Sequence, residues 1–524
     1  MKILIVAPKF DIFPVGLAYI ASSLKQAGHE ALLYVFTNEQ KMLAELSKAN
    51  FDFVATGGLS SQYLDIKKIL FTARKSGIKT IAGGGIITSE PELMLRALCP
   101  DFGVIGEGEE TIVEFLQAFE MGRELSAVKG ICYIDNDKFV VTENRKQLEE
   151  LDTLPWPDYD GFGYSQFLDS MKSSDSYSYD LFDYPREYPV ITSRSCPFQC
   201  TFCYHPSGDK YRQRSMDSIM DELMTVIPKY KINIVAIYDE LFSFDEARVY
   251  EFCEKFRKFT DSLDWDVRWS CQMRVAGLKD SMLDAMKAAG CYLVSYGFES
   301  YNAEVLNSMK KHITPEQIHN AVHATIDRNI SIQANFIFGD PKETWATALQ
   351  TLTFWKEHIE AGILLSFILA FPDSPIYQFC QKKGLINNKL HYIEHDLYKV
   401  LNMTAMSDHE FSKLTVMVQK HTLKYCNYVV PFDRTSSSVS AVCPHCNVSI
   451  QYNNYYTSNY RYTRMMYCRS CRKRFFIANR LSMVIMKVKY FLLSPLFMKL
   501  YERVQKPMAF IKKQIFKFIP LSDR

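Results

Sequence analysis

Short apolar runs alternate with stretches of helical period twice along this chain, and that alternation leaves few folds open. The first series occupies residues 3–7, 16–27, 31–36, 53–57, 64–75 and 79–82. The second has candidate strands at 189–192, 234–238, 267–270, 291–297, 332–338 and 364–369. Alternation of this kind puts helices on the faces of a parallel sheet, so each series predicts an α/β unit. At 524 residues the chain exceeds what one core accommodates. The first series predicts an N-terminal doubly wound, Rossmann-like sheet, and the six units of the second predict a partial (βα)6 barrel. Ligands in both architectures bind at the carboxyl ends of the strands.

Between the two series, residues 130–141 read as a hairpin around an Asp/Asn turn, and residues 154–160 form a proline-broken linker. The net charge of +2 gives no global pull toward nucleic acid or an acidic surface. The N-terminal apolar run reads as a first strand rather than a secretory leader, and no stretch of about 18 uncharged apolar residues is present. With 14 cysteines, the expectation is a cytoplasmic, reducing compartment in which clustered thiols hold metal.

Directly after the first strand of the second series stands Cys196-Pro197-Phe198-Gln199-Cys200-Thr201-Phe202-Cys203. Three thiolates bind three irons of a [4Fe-4S] cluster and leave the fourth open to chelate and reduce a substrate. A structural zinc completed by His205 is the alternative. This triplet, with Phe202 just before its last cysteine, resembles the signature of the radical S-adenosylmethionine (SAM) superfamily. Further matches are Tyr211-Arg212-Gln213-Arg214-Ser215, Tyr238-Asp239-Glu240, Arg274, Gly297-Phe298-Glu299-Ser300 and the run 338–344. The resemblance implies that Cys196, Cys200 and Cys203 hold the cluster, that SAM chelates the open iron, and that its reductive cleavage yields a 5′-deoxyadenosyl radical. It further implies that Phe202, Tyr238, Asp239, Glu240, Arg274, Glu299 and Ser300 contact SAM. Helix capping is the alternative use of Asp239, Glu240 and Glu299.

The N-terminal run 13–21, Gly83-Gly84-Gly85 and Gly106-Glu107-Gly108-Glu109 resemble the cobalamin-binding domain fused ahead of such enzymes. Phe13, Ser60, Gly83, Gly84, Gly85, Gly106, Glu107 and Gly108 are the implied cobalamin contacts, the glycines letting a bulky ligand approach the backbone. Where cobalt-ligating relatives carry Asp-x-His-x-x-Gly, this chain reads Asp11-Ile12-Phe13-Pro14-Val15-Gly16. Phe13 cannot ligate cobalt, so cobalamin is expected without a histidine ligand. A domain that has lost the cofactor, or one binding a different ligand, is the other reading.

Near the C-terminus, Cys443-Pro444-His445-Cys446 and Cys468-Arg469-Ser470-Cys471 lie 21 residues apart. Four thiolates so spaced close a tetrahedron, the grammar of a structural zinc ribbon. Nucleic-acid binding through Arg461, Arg464, Arg469, Arg472, Lys473 and Arg474 among interleaved tyrosines, or an auxiliary iron–sulfur cluster, are the alternatives. In the basic tail, Lys506, Lys513, Gln514 and Lys517 oppose Ile511, Ile515, Phe518 and Ile519 on a helical wheel, which suits an anionic membrane surface or docking on the protein itself.

The expected organisation is a cobalamin-binding-like domain over 1–125, hairpin and linker over 126–185, a radical SAM barrel over 186–400, a helical connector over 401–440, a zinc ribbon over 441–480 and a basic amphipathic tail over 481–524. The expected activity is radical methylation of an unactivated carbon in a small-molecule or lipid substrate, with a flavodoxin or ferredoxin as electron donor. A radical cyclase or rearrangement enzyme, resembling the anaerobic Mg-protoporphyrin monomethyl ester cyclases, is the alternative within the family, and a nucleic-acid module on a degenerate barrel the alternative outside it.

Overall fold

The computed structural model describes residues 1–9, 13–206, 208–456 and 463–493. The first sheet contains β1 (Lys2–Ala7), β2 (Glu30–Val35), β3 (Phe53–Gly57), β4 (Lys79–Gly83), β5 (Phe102–Val104), β6 (Ile131–Asp135) and β7 (Lys138–Val141), in the order β2-β1-β3-β4-β5-β6-β7. Its first five strands are parallel. Alternate residues of β1 enter different cores, Ile3 and Ile5 on one face and Leu4 and Val6 on the other, so an unbroken apolar run is what this strand requires. Chain order reverses between β1 and β3, which puts the ligand crevice at their carboxyl ends. The hairpin that sequence grouped with the linker is part of this sheet: β6 pairs antiparallel with β5, covering an edge that would otherwise be open. Its turn residues Asn136 and Asp137 have φ of 45° and 64°, the positive values a two-residue hairpin demands.

The second sheet begins with β8 (Glu187–Val190), and the crossover to its next strand carries a two-stranded ribbon, β9 (Ser193–Arg194) with β10 (Arg212–Gln213). It continues through β11 (Ile234–Ile237), β12 (Arg268–Met273), β13 (Cys291–Glu299), β14 (Ser331–Phe338) and β15 (Gly362–Phe367), in the order β8-β11-β12-β13-β14-β15. Every neighbouring pair is parallel, and β8 and β15 are the two edges of an open, partial barrel.

After the helix Asp408–Tyr425 come β16 (Tyr428–Val429), β17 (Asp433–Arg434), β18 (Val439–Val442), β19 (Ser449–Tyr452), β20 (Thr463–Tyr467) and β21 (Arg474–Ala478). They form two three-stranded sheets around a small core of Val439, Ala441, Ile450, Tyr452, Met466 and Phe475. This unit floors the barrel at the amino ends of its strands. The Tyr467 hydroxyl donates to the Ile332 carbonyl, and Arg474 donates to the carbonyls of Glu360, Ile363 and Ile359 at 2.8, 2.7 and 3.1 Å. Arg472 donates to Ser331 Oγ at 3.0 Å, and Arg469 reaches the Asp180 carbonyl at 2.6 Å and Asp183 at 2.8 Å. Of the basic set read as a nucleic-acid surface, Arg472 and Arg474 are buried against the barrel and so are withdrawn from any such surface. Arg461 lies outside the described residues.

The helix Arg480–Leu492 begins the expected tail, and residues 494–524, with the amphipathic wheel centred on Lys513, lie outside the described residues. Among the described residues, no helix is long and apolar enough to cross a membrane.

Candidate active site

The triplet loop leaves the barrel at the carboxyl end of β8 and is fastened at both ends. At its start, Asp239, fully buried beyond β11, accepts from the Thr192 amide at 2.7 Å, from the Thr192 hydroxyl and from the Ser193 hydroxyl at 2.8 Å. With three donors on its carboxylate, Asp239 holds the start of the triplet loop. Farther on, the Thr201 amide donates to the Met309 carbonyl at 3.1 Å, and its carbonyl accepts from the Ile376 amide at 2.8 Å.

Two cations flank the thiols. Lys311 is buried, paired with Glu299 at 2.9 Å, and lies 5.7 Å from the Phe202 ring centre. Arg274 stacks its guanidinium 3.5 Å from the centre of the Phe198 ring and donates to the carbonyls of Lys311 and His312. A hydrogen bond from Cys203, reinforced by Lys311 and Arg274, pulls the Cys200 thiol down to about 6, while the same bond pushes Cys203 up and burial pushes Cys196 up. Thiolate character under nearby cations is what metal ligation requires. His205 Nδ1 lies 3.3 Å from Glu240, which raises the imidazole above its usual range.

Arg274 Nε and His205 Nε2 are both buried with no protein partner among the described residues. Two orphaned polar atoms beside three thiols fit a polar group bound at this loop.

Other expected SAM contacts are engaged elsewhere. The Tyr238 hydroxyl donates to Glu187 at 2.9 Å, joined there by Tyr179 at 3.2 Å; burial pushes that carboxyl up to about 7. Ser300 accepts from the Asn302 amide at 3.2 Å and sits 3.3 Å from the Thr351 hydroxyl, so it shapes the turn after β13. Both side chains are tied into the scaffold at these points. Glu299, at φ of 63°, faces the loop through its Lys311 pair, which lies over Gly297.

The triplet loop touches the first domain. Immediately after Cys203, the Tyr204 hydroxyl donates to the Gly85 carbonyl at 3.0 Å. The glycines at these strand ends have a packing reason of their own. A Cβ on Gly57 would meet the Gly83 carbonyl oxygen at 2.8 Å, and one on Gly84, whose φ is 79°, would meet Gly58 backbone at 2.9 Å. Ser60 is buried beside them, and around Gly106, at φ of 76°, a Cβ would find open space.

Glu107 and Phe13 both make extensive contacts within the protein. Glu107 binds Arg212 at 2.6 Å, Arg194 at 3.0 Å and the Leu148 amide at 2.9 Å, while Glu109 holds Arg194 at 2.6 Å. Burial alone would raise Glu107, yet Arg212 and Arg194 keep it below the usual carboxylate range. It therefore ties the first domain to β9 and β10 on either side of the triplet loop. Phe13 is buried in an aromatic cluster, with ring centres 4.9, 6.1, 5.0 and 5.3 Å from Tyr159, Phe162, Tyr164 and Phe167, and so packs the core. Residues 10–12 of the same loop lie outside the described residues.

Sequence reasoning missed Lys311 and Tyr204. The run Lys310-Lys311-His312 and an aromatic directly behind the triplet were the available signals. In the C-terminal unit, all four sulfurs of Cys443, Cys446, Cys468 and Cys471 lie within 4.8 Å of one another, with Cys443–Cys471 at 3.8 Å and Cys446–Cys468 at 3.6 Å.

Comparison with known proteins agrees with this layout. Residues 1–116 match the B12 binding domain family, and residues 190–354 match the Radical SAM superfamily. The chain is 28% identical to an uncharacterized methyltransferase of Pyrococcus horikoshii, over 74% of this chain and 84% of the relative. It is 23% identical to the anaerobic magnesium-protoporphyrin IX monomethyl ester cyclase of Cereibacter sphaeroides, over 70% of this chain and 60% of the cyclase. Its fold resembles that of the radical S-adenosylmethionine methyltransferase TsrM from Kitasatospora setae, with a TM-score of 0.62 and 17% identity over 73% of this chain and 76% of TsrM.

Proposed function

We propose that this chain, whose residues 190–354 match the Radical SAM superfamily and residues 1–116 the B12 binding domain family, methylates an unactivated carbon of a small-molecule or lipid substrate. The observation that carries this reading is the Tyr204–Gly85 hydrogen bond, which joins the triplet loop to the glycine-rich strand ends of the B12-binding domain. The bond sets the triplet loop directly against the strand ends proposed to line cobalamin, and transfer between the two cofactors requires such proximity.

Cys196, Cys200 and Cys203 would hold a [4Fe-4S] cluster, and Phe202, Glu240, Arg274 and Glu299 would surround SAM. Ser60, Gly83, Gly84, Gly85, Gly106 and Gly108 would line the cobalamin side, where Phe13 offers no imidazole to cobalt. When bound, the cluster and SAM supply a radical that removes hydrogen from carbon, and cobalamin supplies the methyl group. Lys311 and Arg274 hold positive charge against the thiolates, and Arg274 Nε and His205 Nε2 are free to bind the polar end of SAM. Glu107, Arg194 and Arg212 keep the two domains in register. A low-potential electron donor such as flavodoxin or ferredoxin completes the reading.

The C-terminal quartet would hold zinc. Tetrahedral Zn–S bonds of about 2.3 Å put sulfurs about 3.8 Å apart, and the two measured separations agree with this. The helix Arg480–Leu492 leaves Leu481, Val484, Val488 and Phe491 exposed in one stripe, which favours peripheral contact with an anionic membrane.

Anaerobic reconstitution tests the central reading. Iron and sulfide near four each per chain, with a corrinoid spectrum retained after desalting, is the expected result. Iron retained by Cys200→Ala would remove the cluster assignment, and absence of corrinoid would remove methyl transfer.

A further inference from the structure

Three histidines converge on the outer wall of the barrel, remote in role from either cysteine set. His319 and His323 are four residues apart on the helix Pro315–Asp327 and therefore share one face. His358 caps the C-terminus of the neighbouring helix Trp345–Glu357. A ligand nitrogen from each lies within 4.8 Å of the other two, and His323 Nε2 is 3.4 Å from His358 Nε2.

His358 is already set for ligation. Its Nδ1 lies 2.9 Å from the Phe354 carbonyl, an acceptor, so Nδ1 carries the proton and Nε2 presents a lone pair. Its ring is buried and stacks on Phe354 with centres 4.1 Å apart, which fixes its orientation. A carbonyl holding the far nitrogen is the arrangement that orients metal-binding imidazoles. Bonds of about 2.0–2.1 Å to a tetrahedral ion separate nitrogens by about 3.3–3.4 Å, the spacing His323 and His358 already have. His319, exposed on the helix, completes the set with a ligand nitrogen within 4.8 Å of the other two.

We infer that His319, His323 and His358 form a binding site for a divalent transition metal of the zinc class, with one coordination position open to solvent. Bound metal would staple two outer helices together. It would do so beside the turn Ile359–Ile363 whose carbonyls Arg474 grips from the C-terminal unit, stiffening the seat on which that unit docks.

The test uses the full chain with its cluster and C-terminal metal in place, equilibrated with micromolar zinc and desalted. Wild type should retain one zinc more than either His323→Ala or His319→Ala. Cys446→Ser should keep that zinc while losing the one in the C-terminal quartet. Added zinc should raise the Tm of wild type and leave both histidine variants unmoved. Equal zinc content in wild type and the two histidine variants, or uptake only at millimolar zinc, overturns the site.

Discussion

The two cysteine sets in this chain use the same ligand atom in opposite surroundings. The C-terminal quartet is closed: four sulfurs converge, and backbone amides of His445 and Cys471 donate to Cys443 and Cys468 at 3.4 Å. The barrel triplet is one thiol short of closure, stands between Lys311 and Arg274, and touches a second domain through Tyr204. A closed set can only hold structure, whereas a set with a missing ligand, orphaned donors nearby and a domain interface beside it is arranged for chemistry. The quartet builds the floor of the barrel and the triplet works at its mouth.

The sharpest way to break that contrast is to exchange the consequences of losing one thiol. Cys200→Ala should abolish cluster-dependent activity altogether while leaving the thermal midpoint of the metal-free chain near wild type. Cys446→Ser should do the reverse: the cluster is retained, but much of a binding free energy of about 10–16 kcal/mol for structural zinc no longer supports the fold. Calorimetry with iron and zinc analysis on both variants separates the roles. A triplet variant whose thermal midpoint falls, or a quartet variant whose midpoint does not, would sink the division.

Asp180 probes how firmly the floor is attached. It is fully buried, lies 3.5 Å from Arg472 and accepts from the Tyr467 amide, and burial raises its pKa. Asp180→Ala strands a buried guanidinium, so denaturant unfolding should show a loss of about 3–5 kcal/mol. If the loss is below about 1 kcal/mol, as for a surface pair, the floor contributes little to the barrel.

Glu187 gives a pH signature of the barrel interior. Its carboxyl is pushed by burial from the ordinary 4.5 up to about 7, so the native state keeps a proton that the unfolded chain releases. Its stabilising share is full below pH 4.5 and is lost as pH rises through 7, on the order of 3 kcal/mol. Glu187→Gln keeps an acceptor for Tyr179 and Tyr238 and removes the titration. Denaturant midpoints at pH 5 and pH 8 should therefore fall with pH more steeply in wild type than in the variant; parallel slopes would refute a proton held there.

What sequence made legible follows from the range of the interactions. The strands of both sheets are buried on two faces and so read as apolar runs, and both cysteine sets are local in spacing. Contacts made over long separations left no such mark. Asp239 serves Thr192 and Ser193, Glu107 serves Arg194 and Arg212, and Tyr467 serves Ile332, each pairing fixed only by the folded sheets. The scaffold contacts of those acidic residues were therefore hidden in the sequence, as was the burial of Arg472 and Arg474 in the C-terminal unit. His319 and His323 carried a visible four-residue spacing, but His358 completes their set only through packing of two helices.

The smallest expected effect is the one that tests whether the mouth and the first domain act together. Tyr204→Phe removes one hydrogen bond, to Gly85, and leaves the ring in contact with that glycine. Such a bond is worth about 1 kcal/mol, so global stability should change little. Because it is the direct link from the triplet loop to the strand ends proposed to line cobalamin, the loss should instead appear as corrinoid affinity about fivefold weaker, with iron content unchanged. If Tyr204→Phe lowers iron content and spares corrinoid affinity, the tyrosine serves the loop alone, and the contrast between a working mouth and a structural floor no longer rests on domain contact.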